Sequence, residues 1–238
     1  LSNPGETMTN LVLAGHETEI AWLKKYLRLR GCYDDAACML LLGMIGPRKM
    51  AAAGKKRARR IIRRHGGISV GRPMGRAWQK NRFLAPYLRN TLWDKGYAVD
   101  TLETAVTWDR VHTTMEEIEG TISGALADKG EKVHVFTHLS HVYASGSSIY
   151  TTYLFRIADS PEETMDRWQA IKTAASRAIV SAGGTISHQH GVGVDHKTYL
   201  PAEKGKLGMD MLRSICGHMD PDHRMNPGKL VDTEGVQS

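Results

Sequence analysis

The sequence predicts an α+β fold: a ferredoxin-like antiparallel sheet with helices packed on one face, followed by a helical C-terminal tail. In the second half of the chain, predicted strands and helices follow the order β-α-β-β-α. A short link at residues 144–147, rich in serine and glycine, joins two of the strands as a hairpin. A hairpin excludes a purely parallel sheet, and the element order is that of a ferredoxin-like sandwich.

The first half of the chain predicts helices and one strand. A continuous apolar run that ends at Gly-Pro is typical of a buried strand, and apolar residues at helical spacing indicate helices. In chain order we expect a helix over residues 17–30, a buried strand over 38–45, a helix over 50–64, an irregular stretch over 68–83 and a short helix over 86–95.

The second half predicts three strands and three helices. Ser160 and Glu163 have the spacing of a capping box, and Pro161 stands at the first helical position, so together they predict the start of a helix. The predicted strands are 97–106, 132–143 and 148–157, and the predicted helices are 108–127, 161–182 and 202–219. We expect residues 1–34 to lead in from a preceding domain, 35–232 to form one domain and 233–238 to be a tail.

The net charge of +7 is concentrated in one predicted helix. Nine Lys and Arg residues and no acidic residue lie within 48–64, so the rest of the chain carries −2. This amphipathic helix indicates a solvated cationic face or contact with an anionic membrane surface. We expect no nucleic-acid partner, because neither a helix-turn-helix nor interleaved aromatic residues accompany the charge.

Cysteine content and hydropathy limit where in the cell the protein is expected. The three cysteines are too few for a disulfide scaffold, and no apolar run approaches the roughly 20 residues of a membrane span. We therefore expect a cytoplasmic protein, with peripheral membrane contact left open.

The densest group of polar residues that could carry chemistry follows the predicted helix 161–182. In an extended segment His188 and His190 would share one face, with Gln189 on the other, and both imidazoles could move protons. An ordinary pair of loop histidines is the alternative. We expect no metal site, because no carboxylate or thiolate stands at ligand spacing.

The predicted hairpin adds further candidates. His138 would lie on one face of its strand and His141 on the other. Tyr150, near the start of the next strand, could act as a general acid or base, although a lone tyrosine is more often a core residue. Arg89 could hold an anion with two hydrogen bonds, or be a surface arginine.

Three segments together resemble the C-terminal half of FAD-linked oxidases of the vanillyl-alcohol oxidase superfamily. They are residues 137–143, 185–194 and 220–230, within a similarity that covers roughly 35–232. The resemblance is strongest to the branch that exchanges an acyl chain for a fatty alcohol in ether-lipid synthesis. It implies a cap domain that covers FAD and a small-molecule or lipid-like substrate, with FAD bound mainly by a separate domain of the same parent protein.

The resemblance also implies roles for matching residues. Tyr150, His188 and His190 would be catalytic, and Arg89 and His141 would bind substrate. The cofactor-binding positions would be His190, Asn226 and Lys229. Gln189 stands where the family has the central histidine of a triplet, and an amide cannot titrate.

Two alternatives stay open from sequence alone. One is an FAD-dependent oxidoreductase that acts on a hydroxylated substrate such as a 2-hydroxy acid, although the metal-binding hairpin motif of such dehydrogenases is absent from residues 141–150. The other is a binding module without chemistry. A homodimer is also left open.

Overall fold

The computed structural model describes residues 1–15, 17–33 and 36–232 and divides into two compact units, Leu1–Leu92 and Trp93–Ser238. The predicted tail, 233–238, lies outside the described residues. Among the helices of the described part, none combines the length and the apolar character needed to cross a membrane.

The first unit is built from helices. They are α1 Pro4–Ala14, α2 Glu17–Leu29, α3 Arg48–Arg64, α4 Pro73–Asn81 and α5 Leu88–Asp94, with a 3-10 turn over Ala85–Tyr87; α5 reaches into the second unit. The helices predicted over residues 17–30, 50–64 and 86–95 are confirmed. The helix α4, within the stretch expected to be irregular, was missed, although Pro73 in its first turn is a helix-start signal.

The buried strand predicted over residues 38–45 is wrong. Only Met39 pairs with another segment, in an isolated bridge to Ser2, and Leu42 and Ile45 are exposed. Hydrophobicity alone does not make a strand, because a strand also needs a neighbouring strand to pair its backbone. The described part of this unit contains no other strand that could pair with the run.

The second unit holds the predicted sheet. Its elements are β1 Tyr97–Thr107, α6 Val111–Gly124, β2 His134–His138, β3 Gly146–Arg156, α7 Pro161–Ser181, α8 Gly193–Lys197 and α9 Leu200–Met219. The strand order is β1-β3-β2, and both pairings are antiparallel. This arrangement matches the β-α-β-β-α part of a ferredoxin-like sandwich, as predicted.

Helices α6 and α7 pack on one face of the sheet. Ile118 and Ile122 of α6 and Ile171 of α7 join Tyr153 and Phe155 of β3 in one fully buried cluster. Because side chains alternate along a strand, the neighbouring positions of β3 face the opposite side of the sheet. That second face carries the site described below.

A partly buried ionic cluster fastens α7 to β1. The Asp100 carboxylate accepts hydrogen bonds from Tyr153 Oη at 2.9 Å, Trp168 Nε1 at 2.8 Å and Lys172 Nζ at 3.2 Å. Burial alone would raise the pKa of Asp100, but the Lys172 ammonium and these hydrogen bonds outweigh it, so the pKa lies below its ordinary value. The carboxylate is therefore ionised in the folded protein.

Replacing Asp100 with Asn should lower the free energy of unfolding by about 2 kcal/mol, because Lys172 is left buried without its counter-charge. A depressed pKa contributes stability that is present above the unfolded-state value and is lost as pH falls through the folded-state value. The difference between wild type and variant should therefore shrink below about pH 4. Urea denaturation at a series of pH values measures it.

The matched control is Asp210→Asn on the surface of α9, where the carboxylate bonds to an exposed lysine. It should leave stability unchanged within error. If Asp100→Asn were as mild as this control, the cluster would not hold α7 to β1.

Candidate functional site

The open face of the sheet brings three polar side chains into one row. In the pairing register, Glu103 of β1 lies opposite Tyr150 of β3, and Tyr150 lies opposite His138 of β2. Residues directly opposite in antiparallel strands share a face and lie close enough to interact. The row crosses all three strands of the sheet.

A segment without regular secondary structure runs along the outer edge of β1. Thr185 N donates to Ala105 O at 3.3 Å, and His188 N donates to Glu103 O at 2.9 Å. Gly184 allows the approach, because a Cβ there would lie 2.4 Å from Thr104 Oγ1. The segment occupies the edge of β1 not used by β3, and it delivers His188 to Glu103.

The turn at Gln189 places both histidines on the same carboxylate. Gln189 is in the left-handed region, with φ 61°. His188 Nδ1 lies 3.3 Å from Glu103 Oε1, and His190 Nε2 lies 3.4 Å from Glu103 Oε2. The two imidazoles share one side as predicted, but the expected extended path was wrong, because the backbone turns between them.

A long loop between β2 and β3 supplies the other groups. As a regular strand the predicted strand 132–143 stops at His138, and its pairing with the chain of β3 resumes at an isolated antiparallel bridge between Val142 and Ser147. His141 Nδ1 lies 3.2 Å from Glu103 Oε1, and Ser140 Oγ donates to the same oxygen. His141 was expected on the opposite face from His138. That expectation was wrong, because three residues separate His138 from Val142 while only two separate their partners Tyr150 and Ser147, and the extra residue shifts the alternation by one.

Glu103 is the centre of this cluster, and sequence reasoning assigned it no role. The residue is 3% exposed. Burial opposes its ionisation, but hydrogen bonds from Ser140, Ser148 and His141 and the attraction of His188 outweigh burial, so the pKa of Glu103 lies below its usual value. An acidic residue inside a strand of apolar and β-branched neighbours was the signal that could have found it.

Tyr150 is enclosed by imidazoles on the open face. Its ring stacks on His138, with centroids 4.8 Å apart, and meets the His190 ring edge-on at 5.4 Å. Tyr143 Oη lies 3.0 Å from His188 Nε2. Phenol and imidazole groups in contact can pass a proton to or from a bound molecule.

Two predicted site residues of the second unit, Asn226 and Lys229, make no contact with the cluster in the described part of the structure. Arg89 is an exposed residue of α5, in the first unit. Asn226 and Lys229 lie in the turns after α9, where Lys229 N donates to Asn226 O at 3.2 Å. Across the ranges that the structure describes, no hydrogen bond or ion pair connects Asn226 or Lys229 to Glu103.

Comparison with known proteins identifies the family. The family model for FAD linked oxidases, C-terminal domain, matches residues 6–230, and this chain belongs to that family. FAD is the cofactor of the enzymes in it, as predicted.

Two relatives that match most of the chain share one name. Alkyldihydroxyacetonephosphate synthase of Dictyostelium discoideum is 27% identical over 214 residues, which is 90% of this chain and 35% of the relative. The synthase of Trypanosoma brucei brucei is 24% identical over 210 residues, 87% of this chain and 34% of the relative. The chain therefore spans about a third of the length of these relatives.

A solved structure and a second group of relatives complete the comparison. A structure of alkyldihydroxyacetonephosphate synthase shares the fold, with a TM-score of 0.65 at 21% identity over 95% of this chain and 38% of that chain. A mitochondrial D-lactate dehydrogenase of Saccharomyces cerevisiae is 34% identical over 82 residues, 34% of this chain and 14% of the relative.

The described residues fit the ring end of FAD. Imidazole and phenol groups of His190 and Tyr150 can hydrogen-bond to the carbonyl oxygens and nitrogens of a flavin ring. A Cβ at Gly191 or Gly193 would meet no atom within 4 Å, so the backbone beside them faces open space that a flat ring could approach. These residues would contact the ring, and the chemistry that FAD supplies when bound is acceptance of an electron pair or a hydride.

The turn at Gln189 yields a stability prediction. The side chain is exposed, so a substitution changes the backbone preference without changing core packing. Gln189→Val should lower the free energy of unfolding by about 1–2 kcal/mol, because a β-branched residue resists positive φ. Gln189→Asn should be nearly neutral, because asparagine tolerates that region. Urea denaturation of both variants measures the difference, and equal stabilities would contradict the turn.

Proposed function

We propose that this chain is the substrate-binding cap of an FAD enzyme with alkyldihydroxyacetonephosphate synthase activity. Such an enzyme exchanges the acyl chain of acyl-dihydroxyacetone phosphate for a fatty alcohol. The observation that carries the proposal is the position of Tyr150 between His138 and His190, on the open face of the sheet. The substrate class rests on the relatives that match about 90% of the chain.

The exchange needs proton transfers, which these side chains can perform. The oxygen of the entering alcohol bonds to the substrate carbon as the bond from that carbon to the acyl oxygen breaks. The fatty acid leaves as a carboxylate, and the hydroxyl proton of the alcohol has to be taken up by a base. The Tyr150 phenol is the group we assign to the substrate proton, and the His190 imidazole, in edge contact with the phenol ring, is its partner. The Glu103 carboxylate lies 3.3 Å from His188 Nδ1 and 3.4 Å from His190 Nε2, and it holds both imidazoles on the side of the sheet that carries the phenol.

Substrate and cofactor contacts extend the proposal. We assign the substrate phosphate to Arg89, whose guanidinium is exposed and can grip a phosphate with two hydrogen bonds. We assign further substrate contact to His141. Asn226 and Lys229 we assign to the cofactor, on the strength of the resemblance in the C-terminal segment. The separate FAD-binding domain of the parent protein supplies most of the contacts to FAD.

A second candidate function is oxidation of a 2-hydroxy acid by an FAD-dependent oxidoreductase. The local match to D-lactate dehydrogenase, at 34% identity, favours it. The same tyrosine and histidines would then take the hydroxyl proton of the substrate, and bound FAD would supply the hydride acceptor that the oxidation requires. The two functions differ in their products, which makes them separable.

Tyr150→Phe in the full-length protein tests the proposal. With acyl-dihydroxyacetone phosphate and a fatty alcohol, the wild type should form the ether product. The variant should lose about 10²- to 10⁴-fold in kcat, because the ring stays and the proton-transfer group is removed. The exposed Tyr97, at the start of β1, supplies the matched control Tyr97→Phe, which should keep full activity.

Full turnover by Tyr150→Phe would remove the phenol from the mechanism. If the wild type made no ether product but its flavin was bleached by a 2-hydroxy acid, the oxidoreductase would replace the synthase as the function.

We also propose that α3 contacts an anionic membrane surface from the cytoplasmic side, where long-chain substrates can be delivered. The helix carries nine basic residues and no acidic one, and it contains no buried residue. Met50 and Ile61 are exposed apolar side chains on the same helix. A cationic face beside exposed apolar residues is typical of helices that lie on membranes.

The homodimer that the sequence left open stays a prediction.

Replacing Arg57 and Arg60 with Ala should reduce binding to vesicles that contain phosphatidylserine by about tenfold or more, since each basic residue contributes about 1 kcal/mol near such a surface. Both side chains are exposed, so the helix should persist. Flotation with phosphatidylserine vesicles measures the effect, and phosphatidylcholine vesicles are the control. Equal flotation with both lipids would contradict the proposal.

A further inference from the structure

Three donor atoms from three separate segments converge beside the sheet. They are Glu103 Oε1 from β1, His141 Nδ1 from the β2–β3 loop and His188 Nδ1 from the edge segment. One ligand atom from each of the three residues lies within 4.8 Å of the ligand atoms of the other two. The two nitrogens lie 3.2 and 3.3 Å from the carboxylate oxygen.

These distances suit a shared cation. A tetrahedral ion with ligands at about 2.0–2.1 Å holds neighbouring ligand atoms about 3.3 Å apart. The two distances from the carboxylate oxygen to the imidazole nitrogens, 3.2 and 3.3 Å, already match that separation. The two nitrogens have to approach each other by at most about 1.5 Å to complete the same geometry, and His141 can supply that movement because its side chain is 41% exposed.

His188 Nδ1 is the independent sign of a missing ligand. The atom is buried, and it has no hydrogen-bond partner among the described residues. It faces the carboxylate at 3.3 Å, but the contact does not have hydrogen-bond geometry. A buried polar atom left in this way costs free energy, and a cation between nitrogen and oxygen would satisfy both.

The surroundings resemble the outer contacts of a metal site. When Nδ1 of a histidine binds metal, Nε2 carries the proton and needs an acceptor. His188 Nε2 lies 3.0 Å from Tyr143 Oη, which can be that acceptor. Glu103 is held by Ser140, and Ser140 Oγ lies 2.6 Å from Ser148 Oγ. Two of the ligands are thus oriented before any ion arrives.

We propose that Glu103, His141 and His188 form a binding site for a divalent transition-metal ion of the Zn²⁺ class. Two imidazoles and one carboxylate are a donor set that zinc accepts with its fourth position open. Spacing in the sequence could not show this site, because the ligands stand 38 and 47 residues apart along the chain. With His188 engaged, proton transfer falls to Tyr150 and His190.

Zn²⁺ and Co²⁺ binding to the full chain tests the site directly and does not depend on enzyme activity. After treatment with a chelator, the wild type should bind one Zn²⁺ by calorimetry. Co²⁺ should give the intense visible bands of a low-coordinate site. Glu103→Gln should weaken binding of both metals at least about tenfold, because it removes the charged ligand.

The matched control is His112→Ala, which removes one member of an exposed His–Glu pair on α6, with a His112 Nδ1 to Glu116 Oε2 distance of 3.1 Å. It should bind metal as the wild type does. Should Glu103→Gln fail to fold by circular dichroism, His141→Ala, in an exposed loop, should show the same loss. The proposal is overturned if the wild type binds no stoichiometric Zn²⁺, if Co²⁺ stays octahedral, or if His112→Ala weakens binding as much as the ligand variants do.

Discussion

The buried carboxylate of Glu103 is the constraint around which the site is organised. A carboxylate that is 3% exposed must find partners inside the protein, because it has lost those it had in water. Ser140, His141, His188 and His190 are those partners. The loop after β2 and the segment after α7 therefore meet at one point of β1.

The sheet makes this meeting possible. The pairing of β1 with β3 fixes Glu103 opposite Tyr150, and the packing of α6 and α7 on one face leaves both on the other. A shift of register by one residue would turn Glu103 into the apolar layer under the helices. The fold thus fixes where the charge lies, and the charge determines which loop residues gather above the sheet.

Parts of the architecture could be predicted from local patterns. The hairpin, the capped start of α7 and the basic helix α3 depend on residues near one another in sequence, and these predictions are confirmed. The run at residues 38–45 failed, because strand formation depends on a partner that no local pattern reveals. His188 and His190 were found by their chemistry. Glu103 was not, because its partners come from segments more than 35 residues away.

The path of the backbone in loops was the other feature that the sequence could not predict. Alternation along a strand predicts facing only while the pairing stays regular, so His141 was assigned to the wrong side where one extra residue stands between His138 and Val142. At Gln189 a left-handed residue joined the two histidines where an extended segment was expected. Both errors concern loops, and loops take conformations set by their contacts rather than by periodicity.

The most direct test of the central role of Glu103 is a crystal structure of the Glu103→Ala variant. We expect β1 to keep its pairing with β3, while His188 and His190 turn away from each other and the side chains of Ser140 and His141 lose their positions beside β1. If both imidazoles and the loop kept the wild-type arrangement without the carboxylate, Glu103 would not be the group that organises the site.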